Sequence, residues 1–324
     1  MNTSTHIGTA AVRLLGEGKK VALVTVLQTW GSSPRPVGSQ LVVCEDGTFF
    51  GSVSGGCVEG AVVLEALGVL KNGICRFLEY GVSNHDAFSV GLACGGNIQL
   101  MIEPVGFGQG IDVATLETLN LAYSNRQAIA MKVNLKTWSR ELIYPDAYPR
   151  YFIKDVGQVN KNVYLHVQKP SLRLIIIGAV HIAQSLAPMA QLMGYDVIII
   201  DPREAFACPK RFPNQELIVE WPADILGSMK IDDRTAVVTL THDPKMDLPL
   251  LEEILKTNAF YIGALGSLRT HNNRRKSMLA LGVKAESFDR IQGPVGLQIG
   301  SKSPSKIALS ILAAITTRLR IEMS

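Results

Sequence analysis

Leu174-Ile175-Ile176-Ile177-Gly178-Ala179-Val180-His181-Ile182-Ala183 sets the architecture of the second half of this chain. An unbroken apolar run of this length fits a strand buried on both faces. A glycine then makes the turn, and a helix follows. The string matches the dinucleotide-binding pattern G-x-G-x-x-G/A at its first position, Gly178, and at its last, Ala183. Its middle glycine is replaced by Val180, whose two methyls are expected to crowd a pyrophosphate. Asp201 closes the next strand, where an acid binds a ribose hydroxyl, and Arg203 beside it is placed to meet a phosphate.

Outward from this unit, strands and helices alternate. Strands are expected at 172–178, 197–201, 236–241 and 260–263, and helices at 181–193 and 248–256. Such alternation predicts a parallel sheet covered on both faces. The last helix is marked by Ser303 as N-cap, Pro304 at its first position, and Ile307, Ile311, Leu312 and Ile315 at helical spacing. Upstream of Gln168-Lys169-Pro170-Ser171 the character differs. Helical patterns over 6–17, 58–70 and 113–123 are interspersed with strands at 21–30, 40–44, 48–53, 76–80 and 97–105. Glu45-Asp46-Gly47 reads as a hairpin turn, and 128–167 as further antiparallel strands. The expected fold class is α/β: an N-terminal α+β domain with antiparallel strands over 1–168, then a C-terminal Rossmann-like, doubly wound parallel sheet over 169–324. By itself the second half reads equally as a nucleotide-binding unit or as a scaffold.

The chain has 324 residues, 47% of them hydrophobic and 19% charged, with a formal net charge of +4. That charge is too mild for a nucleic-acid partner. No stretch is apolar for long enough to span a bilayer, and the first residues lack a signal-peptide pattern. Five cysteines at irregular spacing do not form a disulfide framework. A cytoplasmic protein with reduced thiols is the simplest account.

Two of those thiols stand out. Ser54-Gly55-Gly56-Cys57-Val58-Glu59 and Cys94-Gly95-Gly96-Asn97 place sulfur beside paired glycines. Such loops admit φ > 0 and the approach of a ligand to bare backbone N–H groups. An accessible thiolate is a soft-metal ligand and a nucleophile. Glu59 is read as an acid at a helix N-terminus. Cys44, Cys75 and Cys208 are read as core or incidental. Arg35, between two prolines, is held stiffly and suits an anion or open water. Gly263-Ala264-Leu265-Gly266-Ser267 opens a basic helix and can hold phosphate through Gly266 and Ser267, whereas Arg274 to Lys276 read more simply as its solvated face. His181 sits at a helix start beside the fingerprint and His242 follows a strand at the end where ligands bind, each read equally as a ligand contact or a hydrogen-bonding cap; His6, His85, His166 and His271 belong to no constellation.

Taken in order, these segments resemble the xanthine dehydrogenase accessory factor family (XdhC/CoxI). The resemblance rests on Gly31-Ser32-Ser33-Pro34-Arg35-Pro36-Val37-Gly38, Gly51 to Glu59, Cys94-Gly95-Gly96 with Glu103-Pro104, Gly178 to Ala183, Asp201-Pro202-Arg203, Thr241-His242-Asp243, Tyr261-Ile262-Gly263, Gly266-Ser267, and Pro294 to Gly300. It implies a chaperone, not a catalyst, that binds the molybdenum cofactor as molybdopterin or its cytosine dinucleotide. The chaperone would protect this cargo and promote its sulfuration and insertion into an apo molybdenum hydroxylase, with a cysteine desulfurase as partner; a homodimer is left open. On that reading Cys57 and Cys94 are candidate molybdenum contacts, Cys57 a candidate sulfur carrier, and the glycine turns with Arg35, Arg203 and the histidines hold the cofactor. An NAD(P)-dependent oxidoreductase is the weaker alternative, because no catalytic set for hydride transfer is visible. Two positions depart from the family: Val180 stands in a Gly-x-Gly-His pattern, and Ala314 where the family often has Glu.

Overall fold

A computed structural model describes residues 6–30, 35–56, 58–80, 97–153, 157–241 and 243–322. The chain divides into two compact units between Pro170 and Ser171.

The first unit holds α1 (Ile7–Gly16), β1 (Val21–Trp30), β2 (Gln40–Cys44), β3 (Phe49–Gly51), α2 (Glu59–Asn72), β4 (Arg76–Tyr80), β5 (Asn97–Pro104) and α3 (Val113–Ser124). It continues with β6 (Ile129–Asn134), β7 (Arg140–Ile143), α4 (Pro149–Ile153), β8 (Gln158–Asn160) and β9 (Val163–Gln168). Two antiparallel sheets result, ordered β3-β2-β1-β5-β4 and β7-β6-β9-β8. Side chains alternate across a strand, so β1 feeds two cores. Val21 and Leu23 join α1, α3 and the second sheet, while Ala22, Val24 and Val26 meet α2. Leu27, in phase with Val21 and Leu23, joins the first core as well, and the pairing of β1 with β5 shifts register between Val26 and Gln28.

The second unit holds β10 (Arg173–Ile177), α5 (His181–Leu192), β11 (Asp196–Ile200), β12 (Glu216–Ile218), α6 (Pro222–Leu226), β13 (Thr235–Thr239) and α7 (Pro244–Leu255). After these come β14 (Tyr261–Ala264), α8 (Leu268–Ala280), α9 (Ala285–Phe288), β15 (Ile291–Gln292) and α10 (Pro304–Glu322). Its six strands are parallel, in the order β12-β11-β10-β13-β14-β15. Renumbered within the unit this is 3-2-1-4-5-6, the order of a Rossmann sheet, with the switch point beside β10. The apolar run of β10 has its cause here. Leu174 and Ile176 face α5 and α10, whereas Ile175 and Ile177 face α7 and α8. The α/β class is as expected. Ala314 is buried in hydrocarbon within the α10 face of this core.

Several boundaries differ from expectation. β3 stops at Gly51 because Val53 and Ser54 donate their N–H groups to Glu59 instead of a ladder. α7 begins at Pro244, with Asp243 accepting from the Lys245 N–H as N-cap; Pro249 lies inside it. β12 and β15 are three and two residues long, too short to show a period. Among the described residues no helix is long and apolar enough to cross a membrane.

Candidate functional site

The loop before α2 is organised by one carboxylate. Glu59 Oε1 accepts from Ser52 Oγ (2.9 Å) and from the N–H groups of Val53 (3.3 Å), Ser54 (2.9 Å) and Gly55 (3.0 Å). Its Oε2 accepts from Ser54 Oγ (2.5 Å) and the Gly56 N–H (2.8 Å). Gly55 and Gly56 sit at φ +95° and +118°, which only glycine adopts at low cost, and these angles turn their amides inward. Burial alone would raise the Glu59 pKa. The hydrogen bonds from Ser54 and Ser52 outweigh it and bring the group down to about 2. The amides expected to meet a ligand are therefore taken by Glu59, and the exposed surface of this loop is the Gly55-Gly56 backbone. Cys57, Cys94, Gly95, Gly96 and His242, expected from sequence to contribute, lie outside the described residues. Arg35 is exposed in the bend leading to β2.

Other parts of the first unit are structural. Glu103 is fully buried and takes Arg140 Nε (3.0 Å) and Nη2 (2.5 Å). Arg140 Nη2 also reaches Cys75 Sγ at 3.7 Å. Burial and the Glu103 charge push the Cys75 thiol up to about 11, so it is no nucleophile.

The second loop is the turn from β10 into α5. Gly178 has φ +103°, and a Cβ there would lie 3.1 Å from Thr241 Cγ2. Asp201 is fully buried. Its Oδ2 accepts from the Ala179 N–H (2.8 Å) and Arg203 Nη2 (2.7 Å), and its Oδ1 from the Arg203 N–H (3.0 Å) and Nε (2.9 Å). Burial opposes ionisation here, but Arg203 and the Ala179 N–H hold the carboxyl below its ordinary value. Arg211 Nη1 braces the other side of the turn through the Ala179 carbonyl (2.8 Å). The two guanidiniums flank Phe206, at 3.9 Å (Arg203) and 5.3 Å (Arg211) from its centroid. Val180 has an extended backbone, φ −86° and ψ −179°, which suits any residue, and its side chain packs against the core. It N-caps α5 without a side-chain hydrogen bond. The helix N-terminus thus keeps its partial positive charge, next to two arginines and to exposed His181, whose Nδ1 lies 3.3 Å from Gln184 Oε1. Sequence reading missed Arg211 and Phe206, which no local pattern ties to Gly178. It noticed Glu59 but not its clamp.

In the third loop Gly266 has φ +143°, and Ser267 caps α8 by accepting from the Thr270 N–H at 3.2 Å. Arg274 corrects the expectation of a solvated face: it is 6% exposed and donates to Asp247 Oδ2 (3.2 Å) and the Leu265 carbonyl (3.0 Å).

Fold and site define a two-unit protein: a glycine loop clamped by a carboxylate in one unit, and a Rossmann sheet with an arginine-flanked turn in the other. Residues 14–81 match the model of the XdhC and CoxI family, and residues 174–315 that of the XdhC Rossmann domain. The chain is 33% identical over 307 residues to the molybdenum cofactor insertion chaperone PaoD of Escherichia coli (strain K12), covering 95% of this chain and 86% of that one. It is 26% identical over 327 residues to a probable xanthine dehydrogenase subunit of Bacillus subtilis (strain 168), covering 95% and 96%. A crystal structure described as a xanthine dehydrogenase from Bacillus halodurans matches with a TM-score of 0.77 at 25% identity, over 98% of this chain and 96% of that one. The chain belongs to the XdhC and CoxI family.

Proposed function

We propose that this protein binds the molybdenum cofactor, as molybdopterin or its cytosine dinucleotide, and delivers it to an apo molybdenum hydroxylase. The observation that carries the reading is the α5 N-terminus, uncapped by any side chain and flanked by Arg203 and Arg211. Those groups suit the phosphate of the cargo through backbone N–H groups and guanidiniums. Asp201 does not oppose an anion there, because both its oxygens already serve Ala179 and Arg203. Gly178, His181, Gly266 and Ser267 belong to the same proposal as contacts near phosphate, and Arg35 as a further cation.

Cys57 and Cys94 are proposed as the soft contacts to molybdenum, with Gly95, Gly96 and His242 as further cofactor contacts. Glu59 supports this role for Cys57 by fixing the backbone that leads up to it, from Val53 to Gly56. Cys57 is also proposed to carry sulfur from a cysteine desulfurase during sulfuration. The setting is the reducing cytoplasm, where Cys44, Cys75 and Cys208 stay free thiols.

The test is to purify the protein from cofactor-replete cells, oxidise it and measure fluorescent pterin. Arg203→Gln with Arg211→Gln should lower bound pterin about tenfold or more, as expected for lost charge-assisted hydrogen bonds. No pterin above background, together with an unchanged molybdenum content of the client enzyme in a deletion strain, would refute the proposal. The strand order favours NAD(P) as a second ligand, but the filled Asp201 carboxylate counts against a ribose contact. Calorimetric titration with NAD(H) and NADP(H) separates the two.

A further inference from the structure

A cavity of ≈ 240 Å³ lies between α7 and α8, lined by Asp247, Arg269, Thr270, Asn273, Arg274 and Ser277 together with Leu248. Arg269, Asn273 and Ser277 follow at intervals of four, so one face of α8 presents a cation, an amide and a hydroxyl to the same space. The buried wall is Arg274. Its Nη2 serves Asp247 and Leu265, but Nη1 is buried without a hydrogen-bond partner among the described residues. Among the described residues one carboxylate lines the cavity, that of Asp247, and it already accepts from Thr241 Oγ1 and Arg274. Two guanidiniums thus face one committed acid.

We propose that this cavity is an oxyanion site that takes inorganic phosphate or the phosphate of a nucleotide. Its position agrees: Thr241 and Leu265 follow β13 and β14, at the carboxyl edge where open α/β sheets bind ligands. Its size agrees too, being below the roughly 300–1,000 Å³ of drug-sized pockets and so fit for an anionic group but not a whole dinucleotide. The cavity shares no lining residue with the Gly178 turn, and the proposal stands whether or not the protein carries the molybdenum cofactor, since pterin content is read independently.

The experiment is calorimetric titration of the full chain, at constant ionic strength, with inorganic phosphate in one arm and CMP in the other. Saturable binding is expected, weakened about tenfold or more by Arg269→Gln and by Asn273→Ala. Arg275→Gln removes an equal charge from the same helix, but Arg275 pairs with Asp289 outside the cavity, so this variant should bind as the parent does. Equal affinities in the two arms identify free anion as the ligand; tighter CMP binding with the same sensitivity identifies the esterified phosphate. Three results overturn the proposal: no saturable binding in either arm, equal loss with Arg275→Gln, or loss with Arg203→Gln while Arg269→Gln binds normally.

Discussion

Replacing Glu59 tests how the glycine loop is held. Six donors converge on its carboxylate, and the side chain is buried, with its residue 7% exposed. The fall of its pKa from 4.5 to about 2, at about 1.36 kcal/mol per pH unit, caps the stabilisation from the charge at about 3 kcal/mol. Gly55 and Gly56 face water, so screening reduces this to about 1.5 kcal/mol. Glu59→Gln should lose about that much, because it keeps an acceptor for Val53, Ser54 and Gly55 but sets an amide against the Gly56 N–H. Glu59→Ala also strands the buried N–H groups of Val53 and Ser54, for a total of about 3 kcal/mol. For a unit of this size that is a drop of about 6–12 °C in its unfolding midpoint. Urea unfolding followed by tryptophan fluorescence, which samples Trp30 and Trp138 in this unit, gives both free energies, and thermal unfolding gives the midpoint shift. The pH dependence is the sharper check. A depressed carboxyl stabilises fully above its unfolded pKa, and the contribution fades as pH falls from 4.5 towards 2. The gap between parent and Glu59→Gln should therefore shrink between pH 5 and pH 3. A constant gap, or Glu59→Ala within about 0.5 kcal/mol of the parent, the range of ordinary surface changes, would refute the clamp.

His166 lies in the same unit, and burial, assisted by the charge of His6, brings its pKa from 6.5 down to about 4. Stability is thus complete above pH 6.5 and falls by about 3 kcal/mol on acidification to pH 4, and His166→Leu should flatten that part of the urea-midpoint profile. Arg140→Met leaves Glu103 buried without its cation and should cost about 3–5 kcal/mol in the same unfolding assay, with Glu103→Gln in the same chain recovering part of it. Gly178→Ala must hold φ near +103° and push against Thr241; thermal unfolding should show a loss of about 2 kcal/mol.

The second unit was the more legible in sequence because a parallel sheet covered on both faces leaves continuous apolar runs. Leu174 to Ile177 and Val197 to Ile200 show strand, direction and burial at once. In the first unit, β1 was readable over its whole length for the same reason, since both its faces are covered. What sequence did not carry was partnership across distance. Arg140 is 37 residues from Glu103, and Arg211 is 32 from Ala179. Arg274 looked like one more cation on a basic helix, because its burial depends on α7 packing alongside and on Asp247 waiting there. Glu103-Pro104 could be recognised as part of a family string, but only its pairing with Arg140 explains why a buried acid follows the apolar Leu100 to Ile102 near the end of β5.

The two glycine loops share one device and reach opposite ends by it. In each, a buried carboxylate satisfies turn amides that would otherwise attract an anion. Glu59 consumes the amides of four successive residues, so the loop before α2 has no donors left over from residues 53–56 for a phosphate. Its glycines serve instead to bring bare backbone to the surface on the approach to Cys57. Asp201 consumes a single amide, that of Ala179, and brings Arg203 with it. The N-terminal amides of α5 beyond Ala179 stay uncapped, and two guanidiniums stand beside them. A glycine-rich string therefore does not by itself mark a phosphate site: the acid that follows it decides. By that criterion the loop before α2 offers an anion no amide from residues 53–56, whereas the turn after β10 keeps helix N-terminal amides without a side-chain cap.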